Sequence, residues 1–234
     1  MKAILKRELS SYFNSAIAYV VMAMFFAFSG WFFVGTCFVS NSSSLSPTFS
    51  NIFVIIVFIT PIISMKTFSE EKRQRTDQAL LTSPSSLFDI VMGKFLGAFI
   101  LYALCCMIFF VYGLVITIFT PADWAVIICT NIGLMLLGGA LIAIDVFISA
   151  LTESQLIAAI VGLAVGLLTY MLSSISSMIN IDWVTSVLNS ISFTAYYSNF
   201  TYGMLDLSGI VFFLSVIALF IFFTIRVFEK KRWS

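Results

Sequence analysis

The chain has 234 residues, 61% of them hydrophobic and 10% charged, with twelve Lys and Arg, eleven Asp and Glu, and no histidine. An apolar excess of that size excludes a soluble domain and marks an integral membrane protein, and a formal net charge of +1 gives no basic surface for nucleic acid. Without histidine the commonest metal ligand and general base is missing, which argues against a zinc-dependent membrane protease.

Crossing about 30 Å of hydrocarbon takes about 20 predominantly apolar residues. Six stretches approach or exceed that length: 16–39, 51–68, 91–119, 124–151, 155–177 and 209–227. The expected fold is therefore an all-α membrane protein, a single domain over 1–234 with six transmembrane helices. Ahead of the first span, residues 2–14 place Ile4, Leu5, Leu9, Tyr12 and Phe13 on one helical face and Lys2, Lys6, Arg7, Ser10 and Ser11 on the other. A basic amphipathic helix of this kind lies in the headgroup plane and leads as an elbow into the span. The span itself is expected to be retained, because it is too long for a signal-peptide core and lacks a clear small-residue cleavage site. A short Ser/Asn loop, 40–50, follows it.

Segment 66–94, KTFSEEKRQRTDQALLTSPSSLFDIVMGK, is the long polar interruption of the chain, with five basic and four acidic residues between two spans. Residues 67–81 contain no Gly or Pro, and Thr67 with Glu70 forms a capping box, so the pattern predicts a helix over 67–81 lying across one membrane face. Glu71 with Arg75, and Arg73 with Asp77, stand at i,i+4 and would contribute about 0.2–0.5 kcal/mol per pair. Pro84 stops that helix, and Ser86 with Asp89 starts another that runs into the third span.

Further on, 120–123 is a tight turn containing Pro121. The turn between spans four and five offers Thr152 with Gln155 as a second capping box and Glu153 for the positive end of the helix dipole. Span five then carries Ala158, Gly162 and Gly166 at four-residue steps, the spacing that lets helices approach closely in lipid, within one chain or between two. Residues 174–208 contain no base, set Trp183, Val184, Val187, Leu188 and Ile191 at helical spacing, and then gather Phe193, Tyr196, Tyr197, Phe200 and Tyr202. Short re-entrant helices in the outer interface are expected there.

The twelve bases fall before span one, between spans two and three, or after the start of the last turn of span six, whereas the opposite side carries Asp123, Asp182 and Asp206 with no Lys or Arg. The positive-inside rule then puts both termini and the polar helix in the cytoplasm. Asp145 is the acidic residue deep in a span; it is either a proton or cation site or a carboxyl group satisfied by a neighbouring helix. Cys37, Cys105, Cys106 and Cys129 lie in apolar spans without ligand spacing and read as small core hydrophobes.

Four pieces together, RELSSYFNSAIAYV, TFSEEKRQRTDQALLTSPSSLFDIVMGKF, SALTESQLIAA and RVFEKKRW, resemble the ABC-2 type permeases of ABC transporters, and among them the gliding-motility exporter type. The resemblance covers the whole chain. Two positions depart from it: Ala16 stands where proline is common, and Asp145 where a small or apolar residue is usual. The resemblance implies a membrane-spanning subunit of a bacterial-type inner membrane, paired with a second copy or a homologous permease and docked to a separate cytoplasmic ATPase. ATP and Mg would sit on that ATPase, since this chain has no G-x-x-x-x-G-K-[ST] loop, and it is expected to bind no cofactor and to catalyse nothing itself. An auxiliary membrane or extracytoplasmic subunit is a further expected partner. The docking surface would be Glu70, Glu71, Lys72, Arg73, Arg75 and Asp77, with Phe68 and Leu80 as packing anchors, and spans two and five would line the path. Two other classes stay open on the residues alone: an ion-coupled transporter or channel centred on Asp145, and a scaffold subunit without a path.

Overall fold

The computed structural model describes residues 1–39, 44–75, 86–178 and 182–233, and the regular elements among them are helices. In order they are α1 (Lys2–Phe13), α2 (Ala16–Phe33, continuing as a π-helical stretch Val34–Val39), α3 (Ser46–Ser64), α4 (Lys66–Arg73), α5 (Leu87–Cys106), α6 (Ile108–Phe119), α7 (Trp124–Leu151), α8 (Gln155–Met178), α9 (Asp182–Ile191), α10 (Phe193–Thr201) and α11 (Leu207–Trp233). Among the described residues six stretches are long and apolar enough to cross a membrane: Ala16–Val39, Ser46–Arg73, Leu87–Phe119, Trp124–Leu151, Gln155–Ser176 and Leu207–Lys230.

Helix ends follow local chemistry. Ser86 caps α5 by accepting from Asp89 N at 3.1 Å, as the sequence suggests. Asp123 caps α7 through Oδ1, accepting from Ala125 N at 3.1 Å and Val126 N at 3.4 Å. The second span starts earlier than the apolar pattern indicates, at Ser46, because Pro47 in the first turn needs no N–H partner and favours helix there.

The core is built round α7, whose length is largely enclosed by α3, α5, α8, α10 and α11. Small residues permit this. At Gly138 a Cβ would stand 2.2 Å from the Tyr102 ring, and the Tyr102 hydroxyl donates to Leu134 O at 2.7 Å, so α5 and α7 meet with the ring laid on bare backbone. At Gly133 a Cβ would fall 2.6 Å from Phe200 Cβ, which seats α10 on α7. By contrast α2, α8 and α11 turn Trp31, Leu156, Leu168, Val211 and Leu214 outward, apolar surface that suits lipid and not water.

The amphipathic pattern of α1 is spent on protein. Ile4 packs where a Cβ on Gly93 would come within 2.9 Å, and Glu8 Cβ where one on Gly97 would come within 3.0 Å, so α1 lies on the small-residue face of α5. Tyr12, also on this face, donates to Ile63 O of α3 at 2.9 Å.

Candidate functional site

The polar helix α4 is shorter than its sequence pattern implies. Gln74 closes it, donating to Glu70 O at 3.0 Å, and Arg75 turns the chain at φ 55°. With Arg75 out of the helix, the i,i+4 register that would set it over Glu71 is lost. The expected partner of Arg73, Asp77, and the expected anchor Leu80 lie outside the described residues. The Thr67–Glu70 capping box does not form, because only Met65 separates α3 from α4 and helix already begins at Lys66. Its place is taken by Ser149, near the end of α7, whose Oγ accepts from Phe68 N and Ser69 N at 3.1 Å each and donates to Met65 O at 3.2 Å. The orphan donors of a helix start are thus satisfied from another span.

Charge then fixes the helix laterally. Lys94 of α5 is 1% exposed, and its Nζ donates to Glu8 Oε1 of α1 at 3.0 Å and to Thr67 O at 2.6 Å while pairing with Glu71 Oε1 at 3.0 Å. Arg7 completes the group, 3.0 Å from Glu8 Oε1 and 2.8 Å from Glu71 Oε1. Two acids and two bases cancel, so a buried lysine is tolerable here. Burial alone would lower the proton affinity of Arg7; the hydrogen bond to Glu8 and the fields of Glu71 and Glu8 overcome it and hold Arg7 above its ordinary range. Phe68, buried beneath α4, lies 5.0 Å from Lys94 Nζ and 4.6 Å from the Phe228 ring of α11. Lys72 Nζ donates to Ala150 O, a carbonyl at the negative end of α7. Glu71 and Lys72 therefore point inward, and Arg73, Gln74 and Arg75 form the exposed edge, with Glu70 half-buried beside them and bonded to Gln74 Nε2 at 3.3 Å.

The family described as ABC-2 family transporter protein matches residues 12–233. The chain belongs to the ABC-2 transporter family. No curated protein matches it. As an ABC-2 permease it is a membrane transport subunit, not itself catalytic, and its α4 is a short polar helix held against α1, α5, α7 and α11.

The second turn of this permease differs from expectation in detail. Helix α8 starts at Gln155, and Ser154 caps it by accepting from Ile157 N at 3.5 Å, so Thr152 is two residues too early and instead donates to Ser154 O at 3.5 Å. Glu153 precedes the helix and is exposed. The small-residue stripe packs within the chain. A Cβ on Gly162 would stand 2.5 Å from Asp145 Oδ1 and 3.2 Å from Pro61 Cβ, one on Gly166 would stand 2.9 Å from Val57 Cγ1, and Ala158 is buried on the same stripe. Asp145 is thereby enclosed between α3, α7 and α8, with Thr60 beside its carboxyl group and Oδ2 without a hydrogen-bond partner. Among the described residues no three His, Cys, Asp or Glu side chains gather as a metal site.

Four participants escaped the sequence reading: Glu8, Lys94, Ser149 and the Gly93–Gly97 pair. The glycine pair did carry a signal, a four-residue small step in GKFLG at the head of a span.

Proposed function

We propose that this permease forms the cargo path of an ATP-driven exporter, working as a dimer with a second copy or a homologous permease. Through α4 it docks a separate cytoplasmic ATPase. Both termini and α4 face the cytoplasm of a bacterial-type inner membrane, in keeping with the one-sided distribution of the twelve bases. The observation that carries the reading is that α4 is clamped to its neighbours on every side except the edge of Glu70, Arg73, Gln74 and Arg75.

A rigidly held helix moves its neighbours when it is pushed. Force on the exposed edge passes through Ser149 to α7, through Lys94 to α5, through Phe68 to α11, and through Met65 straight into α3. Closure of an ATPase pair beneath α4 would tilt these spans together and switch a path lined by the second and fifth spans. ATP and Mg belong to the ATPase, and this chain contributes the lever and the path. An auxiliary membrane or extracytoplasmic subunit is compatible with the exposed rings of Trp183 in α9 and Tyr202 just after α10.

The test is co-purification with the ATPase. Glu70→Lys combined with Arg73→Glu, both outside the clamp, should release the ATPase while leaving the thermal unfolding of the permease unchanged. If the complex and its ATP turnover survive that double charge reversal, the docking edge is elsewhere.

A further inference from the structure

At the end of the bundle opposite α4, a cleft of about 370 Å³ opens between α3, α8 and α10. One corner is aromatic: the Phe53 ring centroid lies 5.1 Å from that of Tyr170 and 5.7 Å from that of Tyr197. The remainder is mostly hydroxyl, and among the described residues no Lys, Arg, Asp or Glu lines it.

Most of the hydroxyl protons are already committed within the protein, Thr194 Oγ1 donating to Ser173 Oγ at 2.9 Å. Ser50 Oγ donates to Ser46 O at 3.1 Å, Tyr197 Oη to Phe49 O at 2.9 Å, Ser198 Oγ to Ala195 O at 2.8 Å, and Thr201 Oγ1 to Ser198 O at 2.7 Å. What these oxygens still offer is lone pairs. A polyhydroxylated ligand needs donors as well as acceptors, so it would leave most of its own oxygens unmet on entry, at a cost. An anion would meet mostly acceptors, the Tyr170 and Ser173 hydroxyls excepted. A cation has no acceptor to satisfy and is attracted by ring faces.

The surrounding charge has the matching sign. Segments 40–50, 120–123 and 174–208 carry Asp123, Asp182 and Asp206 and no base. A second cleft shares Ala195 with the first and contains Asp206. Hydrogen bonds from Ser208 and Asn199 hold that carboxyl below its ordinary range, so it is ionised at neutral pH.

We infer that the cleft between α3, α8 and α10 is a subsite for an organic ammonium group, its alkyl part on Phe53 and Tyr170 and its N–H groups on the hydroxyl oxygens of Ser50, Ser198 and Thr201. That this group belongs to cargo rests on the proposed permease function; that it binds does not. The headgroup of an aminolipid and a soluble amine present the same chemistry.

The purified chain, without any ATPase, is placed in nanodiscs of phosphatidylglycerol and titrated calorimetrically with butylammonium, methyl glucoside and butanesulfonate. Saturable binding of butylammonium alone is expected, weakened about fivefold by Tyr170→Leu and kept by Tyr170→Phe, which retains the ring. Unchanged thermal unfolding confirms that the variants fold. Adding phosphatidylethanolamine to the discs should depress butylammonium binding if the ammonium comes from lipid and leave it untouched if it comes from a soluble amine. Equal or tighter binding of the glucoside or sulfonate overturns the inference, as does absence of butylammonium binding or indifference to Tyr170→Leu. Because no ATPase is present, failure here leaves the docking of α4 standing, and failure of docking leaves this result standing.

Discussion

Lys94 Nζ lies 3.0 Å from Glu71 Oε1, and with the lysine side chain 2% exposed this pair joins α4 to the third span out of reach of most water. Such a contact costs much to make and more to break on one side only, about 3–5 kcal/mol when a single partner is removed. Lys94→Met should therefore lower the thermal stability of the permease by several kcal/mol, because Glu8 and Glu71 then lose the buried cation between them. Adding Glu71→Gln to Lys94→Met should recover part of that loss. If the lever reading holds, the recovered double variant still binds ATPase but shows ATP turnover that no longer responds to the permease. A double variant with full coupling would place the transmission of force elsewhere.

Ser149 makes a second, uncharged joint. Its hydroxyl oxygen receives two buried amide protons, from Phe68 and Ser69, at 3.1 Å each. Ser149→Ala removes a cap and leaves both donors unmet, a loss of about 1–2 kcal/mol. The expected readout is local: hydrogen exchange at the Phe68 and Ser69 amides speeds up markedly while the amides in the middle of α7 keep their protection. Uniform acceleration along α7 would instead mean that the serine supports the whole bundle.

Gly162 and Asp145 occupy one space between α3, α7 and α8, with 2.5 Å from a notional Cβ to Asp145 Oδ1. Gly162→Ala overfills it, at about 1–3 kcal/mol. Asp145→Ala should relieve that strain, so the double variant is expected to be more stable than Gly162→Ala alone, as a double-mutant cycle in thermal unfolding would reveal. Asp145→Ala alone is expected to keep ATP turnover coupled to the permease. Its loss in that variant, with the fold intact, would favour an ion-binding role for the carboxyl group over a packing role.

Periodicity shows which face of a helix is apolar but does not name the partner of that face. For that reason the six spans, the caps at Ser86 and the two faces of α1 were legible, whereas the destination of α1 was not. Glu8 reads as one more exposed charge in an amphipathic helix; its partner Lys94 is 86 residues away, and only the approach of α1 onto Gly93 and Gly97 makes the two neighbours. Ser149 sits in an apolar run where serine usually bonds back to its own helix, so its service to α4 carries no local pattern. The early end of α4 was missed for a related reason. Residues 67–81 have no breaker, but propensity is a weak prior, and the helix stops at Arg73 all the same. Of the residues expected to dock, the structure divides those used within the chain, Phe68, Glu71 and Lys72, from those on the exposed edge, a division that depends on the third dimension.

Asp206 offers a titration that isolates the connection into α11. Its carboxylate accepts from Ser208 N at 2.9 Å, Ser208 Oγ at 2.7 Å and Asn199 Nδ2 at 2.9 Å, and these bonds hold its affinity for a proton below that of an ordinary carboxyl group. An unfolded aspartate titrates at about 3.9. Since the folded form binds the proton less readily than the unfolded one, the stability these bonds give is fully present above that value and is lost as pH falls through the depressed folded value. The thermal midpoint of the wild-type chain should therefore exceed that of Asp206→Ala at neutral pH, with the gap narrowing once pH drops below about 4. Comparing the two chains cancels whatever the acidic groups common to both contribute. A gap that stays constant from neutral to strongly acid solution would show that Asp206 acts through packing, and that the bonds to Ser208 and Asn199 do not depend on its charge.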